Sequence, residues 1–114
     1  MPTLESSIEE LIDRYTKDIL FDCHSTESKI NRSEARESLQ KLGTKALEPI
    51  AAEMQAQFVV KPINYELFMA WVTLINMIIE DHNLPQPLYD QYVKYGDQDP
   101  LVWVEYCKKN ALVD

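Results

Sequence analysis

Three features of this 114-residue sequence predict an all-α fold built as a single domain. The chain contains only two glycines, which leaves little material for the turns that β-hairpins, sandwiches and barrels require. Apolar residues recur at helical spacing along most of the chain. The length and the 46% hydrophobic content are sufficient for one ordinary core. We therefore expect about six helices in stacked antiparallel hairpins, arranged as a short α-solenoid or as an irregular helical bundle.

The first predicted helix spans residues 4–21. Its apolar positions are spaced three and four residues apart and form one stripe, which comprises Leu4, Ile8, Leu11, Ile12, Tyr15 and Ile19. Residues 22–29 are polar and include three hydroxyl side chains, so we expect a loop there.

The second and third helices are predicted on either side of Gly43. The second begins near Asn31 or Ser33 and ends at Gly43, because glycine can adopt the left-handed conformation that terminates a helix. Thr44 is then free to cap the third helix, in which Pro49 falls in about the first turn, where its missing N–H costs little. The predicted inward positions of the two helices are Ala35, Leu39, Leu42, Ala46, Leu47, Ile50, Ala51 and Met54.

The fourth helix has the strongest pattern in the chain. It begins at Asn64 or Tyr65, continues to about Asp81, and is apolar almost all round. Asn64 is the expected N-cap. A helix with so little polar surface is predicted to be central.

Two shorter helices are expected in the last third of the chain. A fifth helix spans about residues 87–95 and ends at Gly96, by the same reasoning as at Gly43. Asp99 then caps a sixth helix that has Pro100 at its first position and continues to about residue 110. Its predicted inward positions are Leu101, Val104 and Cys107.

The segment 33–54 resembles one HEAT repeat. The residues that carry the resemblance are Ala35, Leu39, Leu42, Gly43, Ala46, Leu47, Pro49, Ile50 and Met54. HEAT repeats are pairs of antiparallel helices with a small residue and leucines on the first, a Leu-Gly turn, and an Ala-Leu-x-Pro entry to the second. The resemblance implies a HEAT-like helical hairpin here. No second copy with this spacing occurs, so at most a short stack is implied.

The sequence favours a cytoplasmic protein that has no membrane contact. The N-terminal residues are acidic where a signal peptide is basic, and they contain no apolar core. The longest apolar stretch, residues 67–79, is too short for a bilayer of about 30 Å. Cys23 and Cys107 lie far apart in a cysteine-poor chain, and we expect both to be reduced.

Cys23, His24 and His82 are the candidates for catalysis or metal binding. They do not show CxxC or i, i+4 ligand spacing, and a histidine near a helix C-terminus is expected from the helix dipole alone. A catalytic cysteine also needs a histidine base that a third group orients. We therefore expect no enzymatic activity, no cofactor and no metal. A small enzyme or metal-dependent regulator that uses these three residues is the less favoured alternative.

Charge gives the more useful indication of function. The net charge is −8, and it divides into −5 for residues 1–27, +2 for residues 28–62 and −5 for residues 63–114. Direct nucleic-acid binding is disfavoured, because it requires a basic surface. The two acidic regions suit a basic protein partner, although a net charge of this size also keeps a small protein soluble. Tyrosines and tryptophan among acids in the last third are typical of an interface, or else pack the fifth helix on the sixth.

These patterns favour a non-catalytic protein that works by binding another protein. The most concrete hypothesis is an acidic immunity protein or antitoxin that neutralises a basic toxin, such as a nuclease. A helical adaptor or assembly subunit of a larger complex is the alternative, and the oligomeric state is left open. The predicted contact residues are Glu9, Asp13, Asp90, Tyr92, Asp97, Asp99, Trp103 and Glu105.

Overall fold

The computed structural model describes residues 4–21, 23–59, 64–85 and 100–111, and within these ranges it contains six α-helices and no strand. The helices are α1 (Leu4–Phe21), α2 (Thr26–Arg32), α3 (Glu34–Leu42), α4 (Thr44–Met54), α5 (Tyr65–His82) and α6 (Pro100–Ala111). A π-helical segment, Gln55–Val59, continues α4. The all-α prediction is confirmed. The predicted helix at residues 87–95 lies outside the described residues, and the stacking of hairpins stays a prediction.

Helix α1 has the predicted bounds. Its apolar stripe faces the core at Ile8, Ile12, Tyr15 and Ile19, each of which is at most 5% exposed. The helix packs against α2, α3, α4 and α5. One helix therefore contacts elements from both halves of the chain.

The loop predicted at residues 22–29 is wrong from Thr26 onwards, where α2 begins. The Ser25 hydroxyl caps this helix by accepting a hydrogen bond from the Ser28 N–H at 3.2 Å. Seven residues are too few for a stable isolated helix, so α2 depends on tertiary contacts. Lys29 supplies them: it is 6% exposed, and its Nζ donates to the Ile19 carbonyl and to Glu66 Oε1, both at 3.0 Å.

Glu66 joins the start of α5 to α2. Its Oε2 accepts a 2.6 Å hydrogen bond from the Thr26 hydroxyl, while its Oε1 accepts from Lys29. The hydrogen bond from Thr26 has the largest effect on the pKa of the Glu66 carboxyl, followed by that from Lys29, and together they hold this pKa below its usual value. Lys29 also supplies a donor for Ile19, whose carbonyl lies in the last turn of α1 and has no helical partner.

Ser33 separates α2 from α3. Its N–H donates to the Ile30 carbonyl at 3.3 Å, and its hydroxyl accepts from the Arg36 N–H at 3.1 Å. Of the two predicted starts for this helix, Ser33 is therefore confirmed and Asn31 is wrong. The Ser33 hydroxyl also donates to Asp18 Oδ2 at 2.7 Å, which fixes α3 to α1.

Gly43 ends α3, as predicted, with φ +61° and ψ −126°. The predicted cap at Thr44 is wrong, because α4 already begins at Thr44 and Gly43 is its N-cap without a side-chain hydrogen bond. Pro49 is the sixth residue of α4, so it lies in the second turn and not in the first. Its missing N–H therefore removes one hydrogen bond from the interior of this helix.

Helix α5 is central, as predicted, and ends one residue later than expected, at His82. The Asn64 side chain caps it by accepting from the Leu67 N–H at 3.1 Å. Asn83 closes it with a left-handed φ of 53°. Eight of its side chains are buried: Leu67, Phe68, Ala70, Trp71, Leu74, Ile75, Ile78 and Ile79.

Helix α6 packs mainly on α4 and on the π-helical segment. Val104 and Cys107 are buried, as predicted, but Leu101 is 43% exposed, so its predicted inward position is wrong. The inward face instead includes Trp103, which lies about 200° around the helix from Leu101. No helix in the described part of the chain has both the length and the apolar character needed to span a membrane.

Candidate protein-binding groove

Four of the eight predicted contact residues lie in the described ranges. Glu9 and Asp13 are exposed on α1, Glu105 is exposed on α6, and Trp103 is buried. The other four, Asp90, Tyr92, Asp97 and Asp99, lie outside the described residues.

Trp103 does not lie on the surface. It is 7% exposed, and its ring centroid is 6.3 Å from that of Tyr106, which is also buried. The Tyr106 hydroxyl donates a hydrogen bond to the Pro85 carbonyl. The predicted exposure of Trp103 is therefore wrong, because α6 turns this aromatic pair toward the core.

Asp13 and Glu9 differ in their partners although both are on α1. Asp13 forms an ion pair of 2.9 Å with Lys17, one turn further along the helix. The Glu9 carboxylate forms no ion pair or hydrogen bond within the described part of the chain. Of the two, only Glu9 retains a locally uncompensated charge.

Glu9 lines a groove between α1 and α4. The groove has a volume of about 340 Å³ and is lined by Glu9, Ile12, Pro49, Ala52 and Glu53. Its two carboxylates come from different helices, and the three remaining residues are apolar. The packing of α1 against α4 brings these residues together.

A second depression, lined by residues of α4, the π-helical segment and α6, shares Ala52 with the first. It has a volume of about 350 Å³ and is lined by Glu48, Ala52, Gln55 and Lys108. Because Ala52 lines both depressions, together they form one surface that extends from α1 across α4 to α6. We call this surface the acidic groove and define it by Glu9, Ile12, Glu48, Pro49, Ala52, Glu53, Gln55 and Lys108.

The acidic groove has three carboxylates and one amine. Lys108 Nζ donates to Gln55 Oε1 at 3.2 Å, and Glu53 Oε1 accepts from Gln57 Nε2 at 3.0 Å. Like Glu9, the Glu48 carboxylate has no ion pair or hydrogen bond among the residues described. The arrangement can therefore accept hydrogen bonds from a cation while its apolar residues contact the same ligand.

Sequence reasoning missed Glu48 and Glu53, which lie in the region of net charge +2. The cations of that region are partly used inside the fold: Lys29 binds Glu66, and Arg36 Nε donates to the Ile30 carbonyl at 3.1 Å. A charge summed over a segment therefore conceals the local acidity of α4. The signal that could have found both residues is their place on α4, outside the buried stripe that contains Leu47.

A separate cleft of about 260 Å³ lies where α1, α2 and α3 meet. Its lining combines cations and anions, namely Arg14, Asp18, Lys29, Arg32, Ser33 and Glu34. Asp18 is already bound by Ser33, and Lys29 by Glu66. This mixed lining does not select a ligand of one charge.

The residues considered for catalysis are placed as follows. Cys23 and His24 are exposed, whereas the His82 ring lies with Nε2 at 3.0 Å from the Gln40 carbonyl oxygen. No three histidine, cysteine or acidic side chains of the described ranges form a group that could hold a metal ion. Cys107 is fully buried, and this burial raises the pKa of its thiol to about 12.

Comparisons with known proteins give no relative from which a role could be transferred. No protein-family model matches the chain, no curated protein matches it, and no solved structure matches its fold.

Proposed function

We propose that this protein is non-catalytic and binds a basic protein partner through the acidic groove. The observation that supports this proposal is the lining of the groove between α1 and α4, which combines two carboxylates, Glu9 and Glu53, with the apolar residues Ile12, Pro49 and Ala52. The net charge of −8 adds a long-range attraction for a basic protein.

The two kinds of lining contribute differently to binding. Apolar residues at the centre of an interface exclude water and supply most of the favourable contact. Carboxylates around them raise the association rate and discriminate against acidic partners more than they raise affinity. Since Glu9 and Glu48 have no charge partner among the described residues, binding does not require an internal ion pair to be broken there.

The most specific form of the proposal is an immunity protein or antitoxin whose partner is a basic toxin. A toxin that acts on nucleic acid needs a basic surface for phosphate contacts. An acidic groove complementary to that surface would cover it and compete with the substrate. The support for this form is the small size and acidity of the chain, together with the groove.

The experiment is a pull-down from lysate of the source organism with the full chain as bait, followed by mass spectrometry of proteins eluted with increasing salt. Three baits are compared: the native chain, the variant Glu9→Lys/Glu53→Lys, and the control Glu10→Lys/Glu80→Lys. Glu10 and Glu80 are exposed and do not line the groove. Because each double substitution replaces two glutamates by two lysines, the control and the groove variant have the same net charge.

We expect one basic protein that is retained by the native chain and by the control but is lost from the groove variant. Its release by salt would follow from screening of the charges. A nuclease or other toxic activity of the captured protein that the native chain inhibits would support the immunity form. Equal loss from both variants, or retention by both, would contradict binding through the groove.

A helical adaptor remains the second candidate because apolar side chains are exposed at two adjoining helix ends. Phe21 is 79% exposed at the end of α1, and Tyr65 is 64% exposed at the start of α5. Lys29 binds the carbonyl of Ile19 and the side chain of Glu66, so these helix ends lie side by side. Under this alternative the captured partner resists high salt and is lost on Phe21→Ala/Tyr65→Ala.

A further inference from the structure

We infer that the outer face of α5 binds a second copy of this chain across a two-fold axis. This face is the row formed by Tyr65, Met69, Val72 and Asn76, and we call it the α5 stripe. None of these four residues lines the acidic groove, so the inference is independent of the proposed function. It assigns an occupant to the surface at which the adaptor alternative places a different protein.

The α5 stripe is one continuous face of the helix. Its members are spaced by four, three and four residues, which places them within about 60° of one another around the helix axis. Tyr65 is 64% exposed and Met69 is 45% exposed, while Val72 and Asn76 are partly exposed. The stripe is therefore accessible along about three turns of α5.

The end of α1 widens this surface. Leu20 is 41% exposed and Phe21 is 79% exposed. They lie beside the start of α5, because Lys29 Nζ bonds both the Ile19 carbonyl and Glu66. Together with the first two members of the stripe, they make up four of the five large apolar side chains that are exposed among the described residues. An apolar surface concentrated in one place is typical of a protein-binding site.

The α5 stripe contains no charge, although the chain has a net charge of −8. Residues 65–79 include one charged side chain, Glu66, and its two oxygens accept hydrogen bonds from Thr26 and Lys29. A basic partner therefore finds no free anion here. Two copies of an acidic chain repel each other least where their facing surfaces have no charge.

The two ends of the stripe have a hydrogen-bond donor and an acceptor that lack partners. The Tyr65 hydroxyl forms no hydrogen bond within the described part of the chain. Asn76 donates from Nδ2 to the Val72 carbonyl at 3.1 Å, but its Oδ1 accepts no hydrogen bond from the residues described. Among those residues the one fully buried side-chain polar atom without a partner is Trp71 Nε1, so Asn76 Oδ1 is open to solvent.

The donor and the acceptor cannot bond each other within one chain. Residues 65 and 76 are about 16 Å apart along the axis of α5. A phenol hydroxyl is nevertheless a suitable donor for an amide oxygen. The missing partner of each group is thus of the kind that the other end of the stripe provides.

A two-fold axis through the middle of the stripe matches this donor with this acceptor. In an antiparallel pair of α5 helices centred between Met69 and Val72, position 65 of each copy lies opposite position 76 of the other. Each Tyr65 hydroxyl can then donate to Asn76 Oδ1 of the second copy, while Met69 packs on Val72. A two-fold interface requires this reciprocity, in which residue i meets j and j meets i. The spacing is also that of the seam between helices packed at about 20°.

The test is sedimentation equilibrium of the purified full chain, from about 10 µM to about 1 mM, at low and at high salt. This range covers the weak association expected of a small interface. We expect a monomer–dimer equilibrium in which salt favours the dimer, because it screens the repulsion between two chains of net charge −8. A basic partner bound at the acidic groove would respond in the opposite direction.

Met69→Glu should abolish the dimer, since it places the carboxylates of two copies close to the axis. Leu101→Glu is the matched control, because Leu101 is 43% exposed on α6 and the substitution changes the charge equally. The control should leave the dissociation constant nearly unchanged. Circular dichroism of both variants establishes that they are folded.

A double-mutant cycle tests the register. Tyr65→Phe and Asn76→Ala each remove the two symmetry-related hydrogen bonds, so each should weaken the dimer roughly tenfold. The double variant should be no weaker than either single variant, because the same bonds are lost. Neither substitution should lower the melting temperature of the dilute, monomeric chain, which separates a role in the interface from a role in the fold.

A monomer at every concentration and at both salt levels would overturn the inference, as would a dimer that Met69→Glu leaves intact. Additive effects of Tyr65→Phe and Asn76→Ala would contradict the two-fold register. Salt-resistant capture of a different protein by a monomeric chain, lost on Phe21→Ala/Tyr65→Ala, would assign the surface to the adaptor instead.

Discussion

The Tyr15 hydroxyl donates a 2.7 Å hydrogen bond to the main-chain carbonyl of Ala70, 55 positions further along the chain. Neither residue has measurable exposure to solvent. The Tyr15 ring meets that of Trp71 edge to face, with centroids 4.9 Å apart. One tyrosine therefore attaches α1 to the central helix α5 by a polar and an aromatic contact together.

Replacing Tyr15 by phenylalanine should remove the hydrogen bond and keep the ring contact. The Ala70 carbonyl retains its helical donor, so we expect a loss of about 0.5–1.5 kcal/mol in the free energy of unfolding. Urea denaturation of the native chain and of Tyr15→Phe measures this loss. Tyr65→Phe is the matched control, because Tyr65 is 64% exposed and should change stability by less than about 0.5 kcal/mol. Equal effects of the two substitutions would show that the buried hydrogen bond contributes nothing.

The same tyrosine should make stability fall at alkaline pH. Burial raises the pKa of Tyr15 above its ordinary value of about 10, so the unfolded chain releases this proton first. The contribution is fully present below pH 10 and is lost as the pH rises beyond it. In urea denaturation from pH 8 upward, the advantage of the native chain over Tyr15→Phe should shrink above about pH 10. An advantage that is constant over this interval would contradict the shifted pKa.

Gly43→Ala should destabilise the protein for two separable reasons. An added Cβ would lie 2.6 Å from Cε1 of the His82 ring, and the φ of +61° disfavours any side chain. We expect a loss of about 1–3 kcal/mol in unfolding free energy. In a double-mutant cycle, His82→Ala relieves the collision but not the backbone strain, so Gly43→Ala should cost less on that background. Full additivity would exclude a contact between residues 43 and 82.

The features that the sequence predicts correctly are those that neighbouring residues determine. The stripe of α1, the cap at Asn64 and the glycine stop at Gly43 each depend on residues within a turn or two. Helix α2 was missed because it depends on Lys29 meeting Glu66, which is 37 positions away. No local pattern distinguishes this buried lysine from a lysine on the surface.

The acidic groove is likewise a feature that local sequence patterns cannot predict. Glu9 is predictable as an exposed acid of α1, but its place in one groove with Glu53 depends on how α1 packs against α4. Trp103 was predicted to lie in an interface because acidic residues are near it in the sequence. The face of α6 that bears Trp103 is instead turned toward the core. Composition therefore indicates a class of partner, and only the packing of helices indicates where such a partner would bind.

Lys29→Met should be markedly destabilising although it replaces a charged residue by an apolar one. The substitution leaves the Ile19 carbonyl and one oxygen of Glu66 without their donor, at a side chain that is only 7% exposed. The expected loss in unfolding free energy is about 1–3 kcal/mol. Lys17→Met is the control, because the Lys17 pair with Asp13 is more than half exposed and should contribute about 0–1 kcal/mol. Similar midpoints of thermal unfolding for the two variants would show that Lys29 has no special role.

The two cysteines should differ sharply in reactivity toward a thiol reagent such as DTNB. Cys23 is exposed, whereas Cys107 is fully buried against the core and burial raises its pKa to about 12. Since the thiolate is the reactive species, one thiol per chain should react quickly in the native protein and two in urea. The variant Cys23→Ser should remove the fast phase and leave the slow one. A rapid reaction of Cys107 in that variant, without denaturant, would mean that α6 separates readily from α4 in solution.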